Sequence, residues 1–160
     1  MLPTIKKVLY ATDLSSAATH AFGFALSVAE KHGAELTVLH VVPELPQEYG
    51  LAAGFDFTPD FDKEMWEAFK KSRAEGAKKE LEKQVREACL KFGASPVGPD
   101  HLIVRNGRAV EEIVDEARRV DLVVMGTQGH GRIGGLLMGS VAQGVLAKCE
   151  TPVMVVRVGS

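Results

Sequence analysis

The chain has 160 residues, 46% of them hydrophobic and 25% charged, with a formal net charge of −2. That length suits a single domain, 1–160, with a substantial core, and the near-neutral charge gives no bulk attraction to nucleic acid or to an anionic membrane surface. No apolar stretch is long enough to cross a bilayer and the N-terminus carries no signal-peptide core, so a cytoplasmic location is expected. Cys89 and Cys149 have neither metal-ligand spacing nor the density of a disulfide scaffold, and read as small buried thiols in helices.

Two hydrophobic periods alternate along the chain. Ile5 to Ala11 is a short apolar run, read as a buried strand. Ser15 is placed to cap the next helix, whose Ala18, Ala21, Phe22, Ala25 and Ala29 share one face before Gly33 stops it. Leu36 to Val42 is a second strand. Residues 43–62 carry several prolines and glycines and read as irregular; so long a connection in a compact domain is usually functional or disordered. Tyr49, Phe55, Phe57 and Phe61 would anchor it, either as a lid over the end of strand two or as a partner surface.

A long helix is expected from Thr58-Pro59 to Phe92, ended by Gly93, with Trp66, Phe69, Leu81, Val85, Ala88 and Phe92 as its apolar stripe. His101 to Val104 is a third strand. Gly107 leads into a helix with Val110, Ile113, Val114 and Ala117 inward, and Asp121 to Met125 is a fourth strand. A glycine-rich loop, a helix through Lys148 and a last strand at Val153 to Val156 complete the order. This alternation predicts an α/β fold: an open, doubly wound, five-stranded parallel sheet with helices on both faces, Rossmann-like. Periodicity leaves the strand order open.

The loop carries the chemistry. From Gly126 to Ser140 it reads Gly-Thr-Gln-Gly-His-Gly-Arg-Ile-Gly-Gly-Leu-Leu-Met-Gly-Ser, directly after the apolar run Leu122 to Met125 and directly before a helix. A strand, a glycine-rich loop and a helix N-terminus together form a layout that binds phosphate: glycine lets backbone N–H groups approach an anion, and the helix dipole favours negative charge. No Gly-Lys-Ser/Thr closes it, so it is not a Walker A loop. Gly129 to Gly134 satisfies G-x-G-x-x-G, but no acidic residue ends the following strand, and the dinucleotide reading is rejected.

A different spacing fits: Gly126, two residues, Gly129, nine residues, Gly139, then Ser140. This frame resembles the universal stress protein family, in particular its ATP-binding branch. Lys6 to Asp13 resembles the family's first strand with its terminal aspartate, Leu36 to Val42 its second, and Thr151 to Arg157 its last. The resemblance implies strand order 3-2-1-4-5. With that order the strand sequence reverses between strands one and four, where open parallel sheets bind ligands beyond the strands' carboxyl ends. Asp13 and Gly126 would then face one pocket.

On this reading Asp13 accepts a hydrogen bond from a ribose hydroxyl or the base, its competing role being a helix cap shared with Ser15. The backbone of Val41 reads the adenine edge, as the family implies, while Ala11, Thr12 and Met125 line the base pocket. Gly126 and Gly129 let the loop wrap the phosphates, and Gly139, Ser140 and Val141 present helix N-terminal donors. The Ser140 hydroxyl serves a phosphate, a Mg²⁺ ion or the helix cap. Arg132 either neutralises a terminal phosphate or is a solvated loop arginine. Many relatives carry a cation where this chain has Gln128. His130 adds little charge with an unperturbed pKa of about 6.5, and His40, within an apolar strand, reads as a satisfied core histidine.

No catalytic base stands beside the expected γ-phosphate and no Ser-His-Asp order or metal cluster is present in the sequence, so no catalytic residue is assigned. The expected function is an ATP-binding stress-response or signalling module, holding ATP with Mg²⁺, whose occupancy a protein partner reads, with at most slow hydrolysis. The alternatives are a weak ATPase or nucleotide hydrolase, an AMP- or cyclic-nucleotide-binding protein, and a chaperone-like interaction protein. A homodimer through the C-terminal strand is expected, since Val153, Val155 and Val156 suit a partner strand and the family typically pairs there. The competing reading is an edge blunted by Lys148, Glu150 and Arg157.

Overall fold

In the central strand β1 (Lys7–Thr12), Val8 and Tyr10 enter one apolar cluster while Leu9 and Ala11 enter another. Alternate side chains of a strand point to opposite faces, so the apolar run Val8 to Ala11 must be covered on both. The computed structural model describes residues 1–44, 63–127 and 138–158. After β1 come α1 (Ala18–His32), β2 (Glu35–Pro43), α2 (Lys63–Phe92), a 3₁₀ turn at Pro99–His101, β3 (Leu102–Gly107), α3 (Ala109–Ala117), β4 (Leu122–Gly126), α4 (Ser140–Lys148) and β5 (Val153–Val156). The five strands form one sheet, in order β3-β2-β1-β4-β5, with every pair parallel. This is the expected doubly wound α/β architecture, including the strand order that the sequence resemblance implied.

Among the described residues, two helices cover each face. Ala21, Phe22, Ala25, Leu26 and Ala29 of α1 and Leu81, Val85, Ala88 and Cys89 of α2 pack with Val8, Tyr10, Val38 and Val124. On the other face Ile113 and Ala117 of α3 and Ala142 and Val145 of α4 pack with Leu9, Leu39, Val123 and Met125. Burying a side chain such as Leu9 or Leu39 contributes about 1.5–3 kcal/mol. Gly33 ends α1 in the left-handed conformation (φ 60°), and the Ala34 N–H reaches back to the Ala29 carbonyl at 2.8 Å, closing the helix with a reversed turn.

Several boundaries differ from the expectations. β3 extends to Gly107, because Arg105, Asn106 and Gly107 pair with Val41, Val42 and Pro43 although their polarity suggests a turn. Arg105 is tolerated there since its guanidinium meets Asp115 at 3.0 Å and also bonds Glu116, a buried carboxylate on α3 that Arg119 reaches at 3.0 Å. The stripe of α2 is buried only over Leu81, Val85 and Ala88, with Cys89; Trp66 stacks on Phe69 at 5.7 Å, and Phe92 stays half-exposed. The expected helix start near Thr58 lies outside the described residues, as does most of the lid or partner segment expected over 43–62, from residue 45 on; Pro43 is not irregular but ends β2, paired with Gly107. Cys149 stands at the cap position just after α4 rather than within it.

The N-terminal rim of the sheet is fixed by a carboxylate. Asp121 accepts the N–H groups of Lys6 and Lys7 at 2.8 and 2.9 Å, and its own N–H donates to the Lys7 carbonyl at 2.9 Å. This ties the start of β1 to the start of β4, setting Val8 opposite Leu122.

Candidate functional site

At the carboxyl end of the sheet the chain leaves β1 and β4 in opposite senses, toward β2 and β5 respectively. Ala11 lies beside Met125 in the register, so Thr12-Asp13 and Gly126-Thr127 emerge side by side with no strand between them. A crevice results there from topology alone. It holds a cavity of about 290 Å³, close to the lower end of the range for small-molecule sites, roughly 300 Å³ upward.

One end of the cavity is built from strand ends and side chains. Asp13 accepts the Ser15 N–H on Oδ1 at 2.9 Å, and the Thr12 hydroxyl accepts the Leu14 N–H at 3.1 Å. Between them Leu14 adopts φ 64°, a left-handed conformation unfavourable for a branched residue. Its carbonyl is held by Gln84 of α2 at 2.9 Å. These bonds fix the turn that carries the Asp13 carboxylate. Ser15 does not cap α1, which starts after Ala17 without a side-chain cap. His40 bonds through Nδ1 to the Thr12 carbonyl at 2.8 Å, the satisfied role expected of it, while also lining the cavity. Tyr10 donates its hydroxyl to the Ala18 carbonyl at 2.6 Å, and burial pushes its phenol well above the ordinary range, so it is a neutral donor.

The other end is built from backbone. Helix α4 begins at Ser140 with Gly139 as its extended N-cap and no side-chain cap, so Ser140 does not take the capping role. The first bond within the helix runs from the Gln143 N–H to the Gly139 carbonyl at 3.1 Å, leaving the N–H groups of Ser140 and Val141 without helical partners. The Gly139 N–H, expected to be a third donor, is instead taken up by the Thr127 carbonyl at 2.5 Å. Gly144 lets α4 approach α3: a Cβ there would stand 2.7 Å from Val110 Cγ2. This contact helps seat the α4 N-terminus at the cavity.

Nine of the residues named from sequence line this cavity together: Ala11, Thr12, Asp13, Val41, Met125, Gly126, Gly139, Ser140 and Val141. Gly129 and Arg132 lie outside the described residues. Leu39, Pro43, Ala109, Ile113 and Ala142 add apolar wall, Tyr10, His40 and Thr127 add polar groups, and Asp13 is the only carboxylate among the described lining residues. Sequence reasoning passed over Pro43, Ala109, Ile113 and Thr127. Ile113 gave a signal, as an inward residue of the helix after β3, but periodicity tells which residues face the sheet and not which lie over its open end. Among the described residues no three His, Cys, Asp or Glu side chains converge as a metal cage, and no helix is long and apolar enough to cross a membrane.

Known proteins share the fold and part of the sequence. The model of the universal stress protein family matches residues 4–157. The universal stress protein in the QAH/OAS sulfhydrylase 3′ region of Thermus aquaticus is 31% identical over 154 residues, covering 95% of this chain and 98% of its own. The solved structure of MJ0577, a universal stress protein of Methanocaldococcus jannaschii, superposes with a TM-score of 0.75 at 29% identity over 99% of each chain. A universal stress protein in complex with cAMP shares the fold, with a TM-score of 0.62 at 21% identity over 98% of this chain and 100% of that one. The chain belongs to the universal stress protein family.

Proposed function

We propose that the cavity between β1 and β4 binds ATP, and that the protein is a stress-response or signalling module whose nucleotide occupancy is read by a partner, with at most slow hydrolysis. The observation that carries this reading is that a carboxylate, apolar walls and the N-terminus of α4, which has no side-chain cap, line one cavity. A flat base fits the walls of Ala11, Val41 and Met125, with the Val41 backbone at its edge. The Asp13 carboxylate suits ribose hydroxyls, which donate hydrogen bonds. Polyphosphate suits the N–H groups and dipole of α4, together with the sequence frame of Gly126, Gly129, Gly139 and Ser140. Arg132 would neutralise the terminal phosphate.

A metal would have to be held chiefly by the nucleotide. Mg²⁺ keeps several waters and commonly needs only one or two protein oxygens beside phosphate, and the Ser140 hydroxyl is the oxygen in reach of that end. When bound, the ion would supply charge neutralisation between phosphates. Asp13 Oδ1 is engaged in its own turn, and on this reading the carboxylate serves the nucleoside rather than water at the γ-phosphate. At most slow hydrolysis is therefore expected.

The edge of β5 supports a homodimer. β5 ends the sheet and pairs only with β4 among the described strands; Val153 and Val155 remain half-exposed along it, as does Met154, whereas Val156, also expected to suit a partner strand, is buried in the core. Calorimetric titration with Mg-ATP, AMP and cAMP tests the ligand. ATP binding with a clear preference over AMP and cAMP sustains the reading. Equal or tighter binding of cAMP, the ligand of the family member of like fold, moves the assignment to a cyclic-nucleotide protein.

A further inference from the structure

The peptide between Leu14 and Ser15 is held from both of its sides. Its carbonyl accepts a hydrogen bond from Gln84 Nε2 at 2.9 Å, and its N–H donates to Asp13 Oδ1 at 2.9 Å. A peptide is planar and stiff, so its carbonyl and N–H turn together. Gln84 therefore acts on the Asp13 carboxylate through one peptide plane. The preceding peptide is held as well, since the Leu14 N–H donates to the Thr12 hydroxyl at 3.1 Å. With bonds on both sides Leu14 stays at φ 64°, which a branched side chain disfavours. The Thr12 and Asp13 bonds are local, each spanning two residues. The Gln84 bond spans 70 and comes from a helix packed against the turn.

Gln84 is itself fixed. Leu81 and Val85, on the same stretch of α2, are buried and seat the helix on the core. Gln84 Nε2 also donates to Glu80 Oε1, one helical turn back, at 2.9 Å. The Leu14 carbonyl and the Glu80 carboxylate are both acceptors, so the amide has one orientation, with its nitrogen toward them. Resting on the nucleotide reading above, we infer that Gln84 is a positioning residue for nucleoside recognition, holding the Asp13 carboxylate at the cavity through the Leu14–Ser15 peptide. Without its donor the left-handed turn is left to its two local bonds, and other orientations of that peptide become accessible. In those the Ser15 N–H leaves the carboxylate, which loses its fixed direction. A ligand must then order the turn as it binds, which lowers affinity. The polyphosphate is assigned to α4, so adenosine and ATP lose alike.

Calorimetric titrations of adenosine and of Mg-ATP, on wild type, Gln84→Met, Asp13→Ala and the double variant, test this. Methionine keeps the length, suits a helix and removes the donor. A cavity of about 20 Å³ bordered by Gln84, Thr12, Phe22 and Leu81 helps to accommodate its methyl group. The expected result is that both affinities fall by about three- to tenfold in Gln84→Met, the scale of one hydrogen bond. In the Asp13→Ala background the same substitution costs nothing further, as two residues acting through one peptide require. A residue that only stabilised the fold would lower the thermal midpoint and leave the affinities of the folded protein intact. Unchanged affinities in Gln84→Met, a loss confined to ATP, or the same loss repeated in the Asp13→Ala background overturns the positioning role. Should Gln84→Met fail to fold, Gln84→Ala decides by the same criterion. Wild-type protein that binds neither ligand overturns the nucleotide reading itself, a failure distinct from that of Gln84.

Discussion

The two ends of the cavity are made of different material. At the β1 end, the group proposed for recognition is a side chain, Asp13, held by an Asx-type turn beside the left-handed Leu14. At the β4 end it is backbone, the turn of α4 without a side-chain cap, whose Gly139 N–H donates to the Thr127 carbonyl. The first is suited to hydroxyl groups of fixed geometry and the second to a diffuse negative charge that many N–H donors share. The two ends therefore call for different substitutions: truncating a side chain damages the first, and adding a Cβ damages the second.

The largest effect is expected at the backbone end. Gly129→Val should lower Mg-ATP affinity by at least about a hundredfold, because a branched side chain keeps the loop backbone from an anion and disfavours positive φ. Adenosine binding and the thermal unfolding midpoint should persist, which calorimetry and circular dichroism check together. Asp13→Ala should come next, with adenosine and ATP affinities falling alike by about 10–100-fold, the range for a hydrogen bond to a charged group. A loss confined to ATP would show that the two ends are assigned the wrong way round. Ser140→Ala should be milder, about two- to tenfold for Mg-ATP and nothing for adenosine, since one neutral hydroxyl contact is removed.

The smallest effect on binding is expected from the far rim of the sheet. Asp121 accepts hydrogen bonds from the N–H groups of Lys6 and Lys7, and these hold its carboxyl below the usual carboxylate range. A carboxyl with a depressed folded pKa contributes stability that is fully present above its unfolded value, about 3.9, and is lost as pH falls through the folded value. Asp121→Ala should therefore unfold at a lower temperature than wild type at pH 7, with the gap closing on acidification below pH 4. Its ATP and adenosine affinities should be those of wild type. A change in either affinity would mean that the cavity is not isolated from the rim.

Much of this was legible in the sequence because it depends on local composition. Continuous apolar runs gave β1, β2, β4 and β5, and the glycine spacing with Asp13 pointed to both ends of one crevice. The strand order came from resemblance, since a hydrophobic period carries no information about neighbours. Pairing partners hid the rest. Arg105-Asn106-Gly107 extends β3 only because β2 lies beside it, and Asp121 matters because β1 starts within reach of its carboxylate. Ser15 looked like a cap, but the Asp13 carboxylate bonds its N–H and α1 starts later. Thr127 sits beside a glycine and reads as an ordinary turn residue; its bonds to the Val156 carbonyl and the Val158 N–H depend on residues far along the chain being brought against it.

The central claim is that one adenine nucleotide occupies the crevice between β1 and β4. Native mass spectrometry of the wild-type protein and of Asp13→Ala, each with millimolar Mg-ATP, tests it most directly. The expected spectrum is a wild-type dimer carrying one ATP mass per protomer, with that adduct depleted in Asp13→Ala at the same concentration. A wild-type spectrum without any adduct, or an adduct equally abundant in Asp13→Ala, would contradict it.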